Sequence, residues 1–209
     1  MNALRRLKIT HRLWALISLA VIGVTVITAI SLIQLKSSLL HEKEQQTQKL
    51  VETAHSIIAD FHGRFSKGDM DEASAKAGAL TSIKSLRYEG GNYFWVNDME
   101  PRMVMHPYVK KLEGQSLVDY ADPNGTKLFV EMVKVVRAQG GGFVHYVWQK
   151  GDTKQLAPKV SYVKGFTPWG WIVGSGIYVD DVDAAFYAEA TKFGVIIVLI
   201  GGLFFAALF

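Results

Sequence analysis

LRYEGGNYFWVNDMEPRMVMHP, residues 86–107, decides how this chain is read. Aromatic and apolar residues from Asn92 to Val96, a turn through Asn97, Asp98, Met99, Glu100 and Pro101, and a second run from Arg102 to His106 spell a hairpin. The β-propensity of the aromatics and the turn chemistry of Asn, Asp and Pro are its physical basis. Polar groups set it apart from an ordinary hairpin: Arg87, Tyr88, Tyr93, Trp95 and His106 crowd an otherwise apolar stretch. Positive charge and hydrogen-bond donors on an apolar wall are what a small buried anion requires.

Outward from that hairpin, both ends of the chain are hydrophobic. Leu13 to Ile33 contains no charged residue, and at a rise of roughly 1.5 Å per residue this run crosses a hydrocarbon core of roughly 30 Å. We read residues 13–35 as a transmembrane helix and 1–12 as a cytoplasmic N-terminus, because Arg5, Arg6, Lys8 and Arg12 stand before the span without an acidic residue. A cleaved signal peptide fits less well, since the run is long and no small-residue cleavage site closes it. These four residues account for the whole net charge of +4, the 23 Lys and Arg otherwise matching the 19 Asp and Glu. The basic balance therefore signals topology and not nucleic-acid binding. Beyond Lys192 the chain turns apolar again, FGVIIVLIGGLFFAALF, so residues 187–209 read as a second span cut short, with a cytoplasmic part expected after it. Residues 36–186 are then an extracytoplasmic domain. Without cysteine, that domain must be held by its core and not by disulfides.

Within that domain, Leu50, Ala54, Ile57, Ile58, Phe61 and Phe65 recur at three- and four-residue spacing and predict one long helix rising from the membrane. Its membrane-proximal part either stands solvated or pairs through Leu35, Leu39 and Leu40 with a second subunit, and a homodimer is the expectation. His55 and His62 lack a carboxylate or Cys to complete a metal set, so no metal is expected. Asp69 with Glu72 predicts a second helix, Met70 to Leu86. The stretch from Pro107 to Gly125 is long for a plain connection and reads as functional or as a cover over something. A helix from Thr126 to Ala138 follows. Gly140 to Gly142 lacks the Lys-Ser or Lys-Thr of a phosphate loop and reads as a helix stop. Strands at Phe143–Gln149, Pro158–Phe166 and Gly170–Val179 complete an α+β architecture, a five-stranded antiparallel sheet with helices on it. Asp180, Asp181 and Asp183 favour the start of a last helix that enters the second span.

Strand alternation places Tyr93 and Trp95 on one face and Phe94 and Val96 on the other; Tyr146 and Trp148 likewise share a face. If the Tyr and Trp face lines a ligand pocket, Arg87, His106 and Lys159 or Lys164 supply positive charge, and Tyr88 and Met105 flank them. Arg87 is the first choice of anchor because its planar fork matches a carboxylate. Met105 is by type a core filler as well.

In combination, NYFWVND (residues 92–98), MHP (105–107), FVHYVWQ (143–149), KVSYVKGF (159–166) and WGWIVGSGIYVDDV (169–182) resemble the single Cache domain of bacterial chemoreceptors and sensor kinases. The chain looks most like the sensor half of a methyl-accepting chemotaxis protein, of the subgroup associated with acetate, propionate, pyruvate and lactate. That resemblance implies a PAS-like fold flanked by two transmembrane helices in a bacterial inner membrane, with the sensor in the periplasm or outside the cell. It implies no cofactor, and cytoplasmic signalling proteins as partners through a further C-terminal part. The sensor part of a histidine kinase or cyclic-dinucleotide enzyme, or a membrane-anchored protein-binding module whose aromatics are only core, are the alternatives. No Ser/His/Asp order, paired-carboxylate cleft, phosphate loop or Cys-based metal set appears, so catalysis is not expected.

Overall fold

A computed structural model describes residues 9–208, with the side chains of residues 10–15, 196, 197 and 200–208 left aside. The expected cytoplasmic cluster of Arg5, Arg6, Lys8 and the Arg12 side chain lies outside the described residues. Helix α1 (Ile9–Ser66) runs unbroken for 58 residues. From Leu16 on it is long and apolar enough to cross a membrane, the one helix among the described residues that is, with a window of mean hydropathy 2.6. Leu19, Ile22 and Ile27 on it are exposed, as side chains facing lipid would be. The expected second span falls on the last helix, much of whose far end lies outside the described side chains.

Leu40–Ala184 forms one compact unit, and the described residues up to Leu39 and from Ala185 form another. The first unit is built on an antiparallel sheet of β1 (Arg87–Tyr88), β2 (Asn92–Asp98), β3 (Met103–Met105), β4 (Gly141–Gln149), β5 (Leu156–Phe166) and β6 (Trp171–Tyr178). The order is β1-β2-β6-β5-β4, with β3 also on β2. Six strands stand where five were expected. The extra one is β1, which the Gly90-Gly91 turn folds back so that Arg87 and Tyr88 pair with Tyr93 and Asn92.

Helix boundaries differ from expectation where side chains compete for backbone groups. Helix α2 (Glu72–Ser85) is capped by Asp71 and not by Asp69, the Asp71 carboxylate accepting from Ser74 N at 2.9 Å. Helix α3 (Leu128–Gln139) starts two residues later than predicted, because Asp122 accepts from Thr126 N at 2.8 Å and keeps that turn out of the helix. It ends on Gly140 at φ +76°, in the left-handed region that suits glycine. Val179, expected in the last strand, opens helix α4 (Val179–Leu208).

The two faces of the sheet carry two cores. Val51, Ala54 and Ile58 of α1 and Ala79 and Ile83 of α2 pack on Phe94, Val96, Trp171 and Val173. On the other face Leu128, Phe129 and Met132 of α3, with Val109, Leu112 and Leu117 of the long loop, cover Tyr93, Trp95, Tyr146 and Trp148. The loop expected to cover something covers the aromatic face. Trp95 lies across β6 because its strand partner there is Gly174, where a Cβ would collide with the indole. Replacing Gly174 by Ala is expected to cost roughly 1–3 kcal/mol of stability by overpacking. A urea titration of residues 40–184 reads this as a lower midpoint at unchanged slope; an unchanged midpoint would mean the indole has room to yield.

Candidate ligand-binding site

The register of three strands sets the centre of the aromatic face. Tyr146 on β4, Lys159 on β5 and Tyr178 on β6 are direct cross-strand neighbours, so their side chains stand in one row. Lys159 is 1% exposed. Its Nζ lies 4.2 Å from the ring centre of Tyr93, 4.7 Å from that of Tyr178 and 5.6 Å from that of Trp95. Its hydrogen bond, donated to the Tyr178 hydroxyl, is long at 3.5 Å, and no carboxylate pairs with it among the described residues. Burial penalises the ammonium and pulls its pKa from 10.5 down to about 7.

Around this amine the polar groups divide into satisfied and unsatisfied. Trp95 donates its Nε1–H to Asn97 Oδ1 at 3.1 Å, and the hydroxyls of Tyr146 and Ser161 bond each other at 2.8 Å. By contrast, the Tyr93 hydroxyl and Trp148 Nε1 are buried without a hydrogen-bond partner. Tyr93 lies near both Tyr178 and Trp148 without reaching bonding geometry with either, and burial keeps its hydroxyl protonated. His106 is 2% exposed, and its Nδ1 accepts from Tyr108 N at 3.2 Å and Val109 N at 2.9 Å. Those two donors place the ring proton on Nε2. Burial, then the charges of Lys159 and Arg87, lower its pKa to about 3, so the imidazole is a neutral donor at physiological pH.

Tyr93, Trp95, Tyr146, Trp148 and His106, closed from above by Leu128 and Phe129, enclose a cavity of about 10 Å³. That is room for about one water molecule. The Lys159 amine sits behind the Tyr93 ring and not on the cavity wall.

Five of the residues named from sequence, Tyr93, Trp95, His106, Tyr146 and Trp148, thus line one cavity with Lys159 directly behind it. Four others are elsewhere. Arg87 is exposed at the sheet edge, its Nη1 donating to Lys84 O at 2.8 Å and Leu86 O at 2.7 Å, and its guanidinium 5.0 Å from the Tyr108 ring. Tyr88 and Met105 pack in the core on the α1 face. Lys164, five residues from Lys159 and so of opposite parity on the same strand, lies 3.7 Å from Glu52 of α1. Sequence reading passed over Tyr178, Ser161 and Tyr108. The alternation Lys159, Ser161, Val163 was visible, but the pairing that puts Tyr178 beside Lys159 depends on register.

The methyl-accepting chemotaxis protein McpP of Pseudomonas putida is 39% identical over 206 residues, covering 97% of this chain and 38% of that protein. The sensor histidine kinase MctS of Rhizobium johnstonii is 34% identical over 149 residues, 71% of this chain and 32% of that one. The chain therefore spans well under half the length of these relatives. A solved periplasmic sensor domain of a chemotaxis protein superposes with a TM-score of 0.66 at 48% identity, covering 67% of this chain and 97% of its own. A Cache chemosensory domain solved for its recognition of carboxylic acids superposes equally well, TM-score 0.66 at 43% identity over 68% of this chain and 97% of its own. With the single Cache domain 2 family matching residues 39–192, over the helices and sheet just described, the chain belongs to that family.

Proposed function

We propose that residues 40–184 are the extracytoplasmic sensor of a transmembrane chemoreceptor and bind a short monocarboxylate on the aromatic face. One observation carries this reading: Lys159, wholly buried, has no counter-charge among the described residues. A carboxylate supplies the missing charge. Tyr93 hydroxyl, Trp148 Nε1 and His106 Nε2–H are donors for its oxygens, and Leu128 and Phe129 take a short alkyl group. Lys159 takes the role that the sequence suggested for Arg87. Arg87 instead braces Tyr108, whose ring packs against Tyr93 at 4.9 Å. Tyr88, Met105 and Lys164 serve the α1 face as packing and surface groups.

A cavity this small admits an acid only by rearrangement, and that couples occupancy to signalling. As Lys159 exchanges its ring contacts for a carboxylate it releases Tyr178, whose hydroxyl donates to Gln149 O at 2.6 Å. Lys150, next in sequence, grips Asp180 at 2.8 Å and Asp181 at 2.7 Å on the first turn of α4. Ligand favouring one of two pre-existing arrangements of this cluster shifts α4 and with it the second span. The output in this reading is a chemotaxis module beyond the second span in the inner membrane, in a homodimer paired along α1. The likeness to a sensor histidine kinase keeps a kinase output as the second reading.

Calorimetry on residues 40–184 is expected to detect binding of acetate, propionate, pyruvate or lactate, and to lose it in Lys159→Met. No heat with any of them would end the carboxylate reading. Because the amine is partly neutral in the free site and ionised in the complex, binding at about pH 8.5 takes up a proton and weakens as pH rises. Comparing heats in buffers of different ionisation enthalpy measures that uptake, and none at all would show that Lys159 is not the anchor.

Stability carries the same signature without ligand. Below about pH 7 the fold bears the full cost of a buried ammonium; between there and 10.5 only the unfolded chain holds the proton, so stability rises with pH. Lys159→Met should melt higher than the parent at neutral pH and lose that rise; a lower melting point would mean the amine is well satisfied as it stands. In a full-length receptor Lys150→Ala should keep ligand affinity within about threefold while abolishing the kinase or methylation response; an intact response would remove Lys150 from the relay.

A further inference from the structure

Trp148 is a wall between two spaces. On its inner side lies the cavity of about 10 Å³, and on its outer side an open groove of about 320 Å³ lined with Tyr120, Asp122, Val147 and Leu156. The indole belongs to both linings. Within the aromatic-face core it stands 5.6 Å from Tyr120, 6.0 Å from Phe129, 5.8 Å from His106 and 6.2 Å from Tyr146 between ring centres, while its Nε1 has no hydrogen-bond partner. Its cross-strand neighbour on β5 is the small Ala157.

The backbone on either side of this wall is, in contrast, pinned. The Asp122 carboxylate accepts from Asn124 N at 3.0 Å and Thr126 N at 2.8 Å within the loop, and from Val147 N at 2.8 Å on β4. Loop and strand are thereby fastened together one residue from Trp148 and two from Tyr120. Burial would raise the Asp122 pKa, but the bonds from Val147, Thr126 and Asn124 outweigh it and hold the carboxyl below its ordinary range. Tyr120 leans on both Phe129 and Trp148 and is itself 38% exposed.

We propose that the Trp148 indole, propped by Tyr120, is a size-selecting partition: the groove is the port through which a monocarboxylate reaches the cavity, and the closed partition excludes acids whose tail would have to cross it. The proposal rests on the carboxylate reading of the cavity and adds to it an entrance and the residue that sets chain length. Leu156, 55% exposed on the far wall of the groove, is an apolar surface for a longer tail once the partition yields. Tyr120 acts through Trp148 and is a positioning residue.

The test uses the 209-residue chain in lipid nanodiscs, with binding heats for acetate, propionate, butyrate and hexanoate measured against protein-free nanodiscs. In the parent chain affinity should fall steeply beyond the three-carbon acid. Tyr120→Ala and Tyr120→Leu, checked for fold by circular dichroism, should raise hexanoate affinity relative to acetate by about tenfold or more, the scale on which an apolar pocket discriminates chain length. Tyr120→Phe keeps the ring and should keep the parent's preference. An unchanged preference in both ring-less variants, or an equal weakening of all acids, would overturn the partition while leaving the carboxylate site standing. If the parent chain binds none of the acids, the carboxylate reading falls and the partition falls with it.

Discussion

A primary amine held inside an aromatic box without a carboxylate is the constraint on which the rest of this unit turns. Removing an ammonium from water costs several kcal/mol even after the protein relaxes, and cation–π contacts return about 2 kcal/mol at best when desolvated. The three rings around Lys159 therefore soften the cost without cancelling it, which is why its pKa falls to about 7. A fold selected for stability alone would carry Met or Leu there. In the proposed reading the residual tension makes the position useful, because a small anion that reaches the amine meets a charge with no other partner.

Holding the amine in place is the work of a sheet that has a core on each face. The α1 and α2 side fixes the strands from behind through Phe94, Val96 and Val173, so the front face is free to be irregular and polar. On that face β6 is small where the rings are large: Gly174 lies under Trp95, and Gly176 has Ser161 so close that no Cβ would fit. The next front-facing residue on β6 is Tyr178, after which the chain turns directly into α4. If the proposed site is occupied, a strand that carries both its bed and the root of α4 needs no long-range wire to report on it. The proposed relay requires only that one short cluster, Lys159, Tyr178, Gln149 and Lys150 with Asp180 and Asp181, have two arrangements that ligand would weigh differently.

How much of this was legible in the sequence follows from which physical rule governs each feature. Period-two alternation is local, so the division of Tyr93 and Trp95 from Phe94 and Val96 could be read directly, as could the fact that Tyr146 and Trp148 point to one side of their own strand. The long α1 was equally plain from its spacing. Choices that depend on register or on a competing side chain were not. Lys159 and Lys164 differ only in parity on one strand, and parity acquires meaning once the sheet's pairing says which side faces α1. Arg87 was attractive because a guanidinium suits a carboxylate, yet the same planar fork suits the open carbonyls at the end of α2, and that local pairing is the one it makes. The late start of α3 has a similar cause, since Asp122 takes the N–H of Thr126.

His106 shows how the site separates charge from hydrogen bonding. A histidine beside a proposed anion invites a reading as the second cation, but with Nδ1 occupied by two backbone N–H groups and Lys159 close by, protonation would set two positive charges in one dry space. The ring stays neutral and offers a directed Nε2–H. Among the described residues of the site only Lys159 then changes charge near neutral pH, and its change is the one that the proposed carboxylate would reverse. A single titrating amine with neutral donors around it selects for monoanions: a second carboxylate would find no counter-charge among Tyr93, Trp148, Leu128 and Phe129, and would bear its desolvation unrepaid. In the proposed mode of binding, charge sets the class of ligand at Lys159, while the closed wall of rings sets its size.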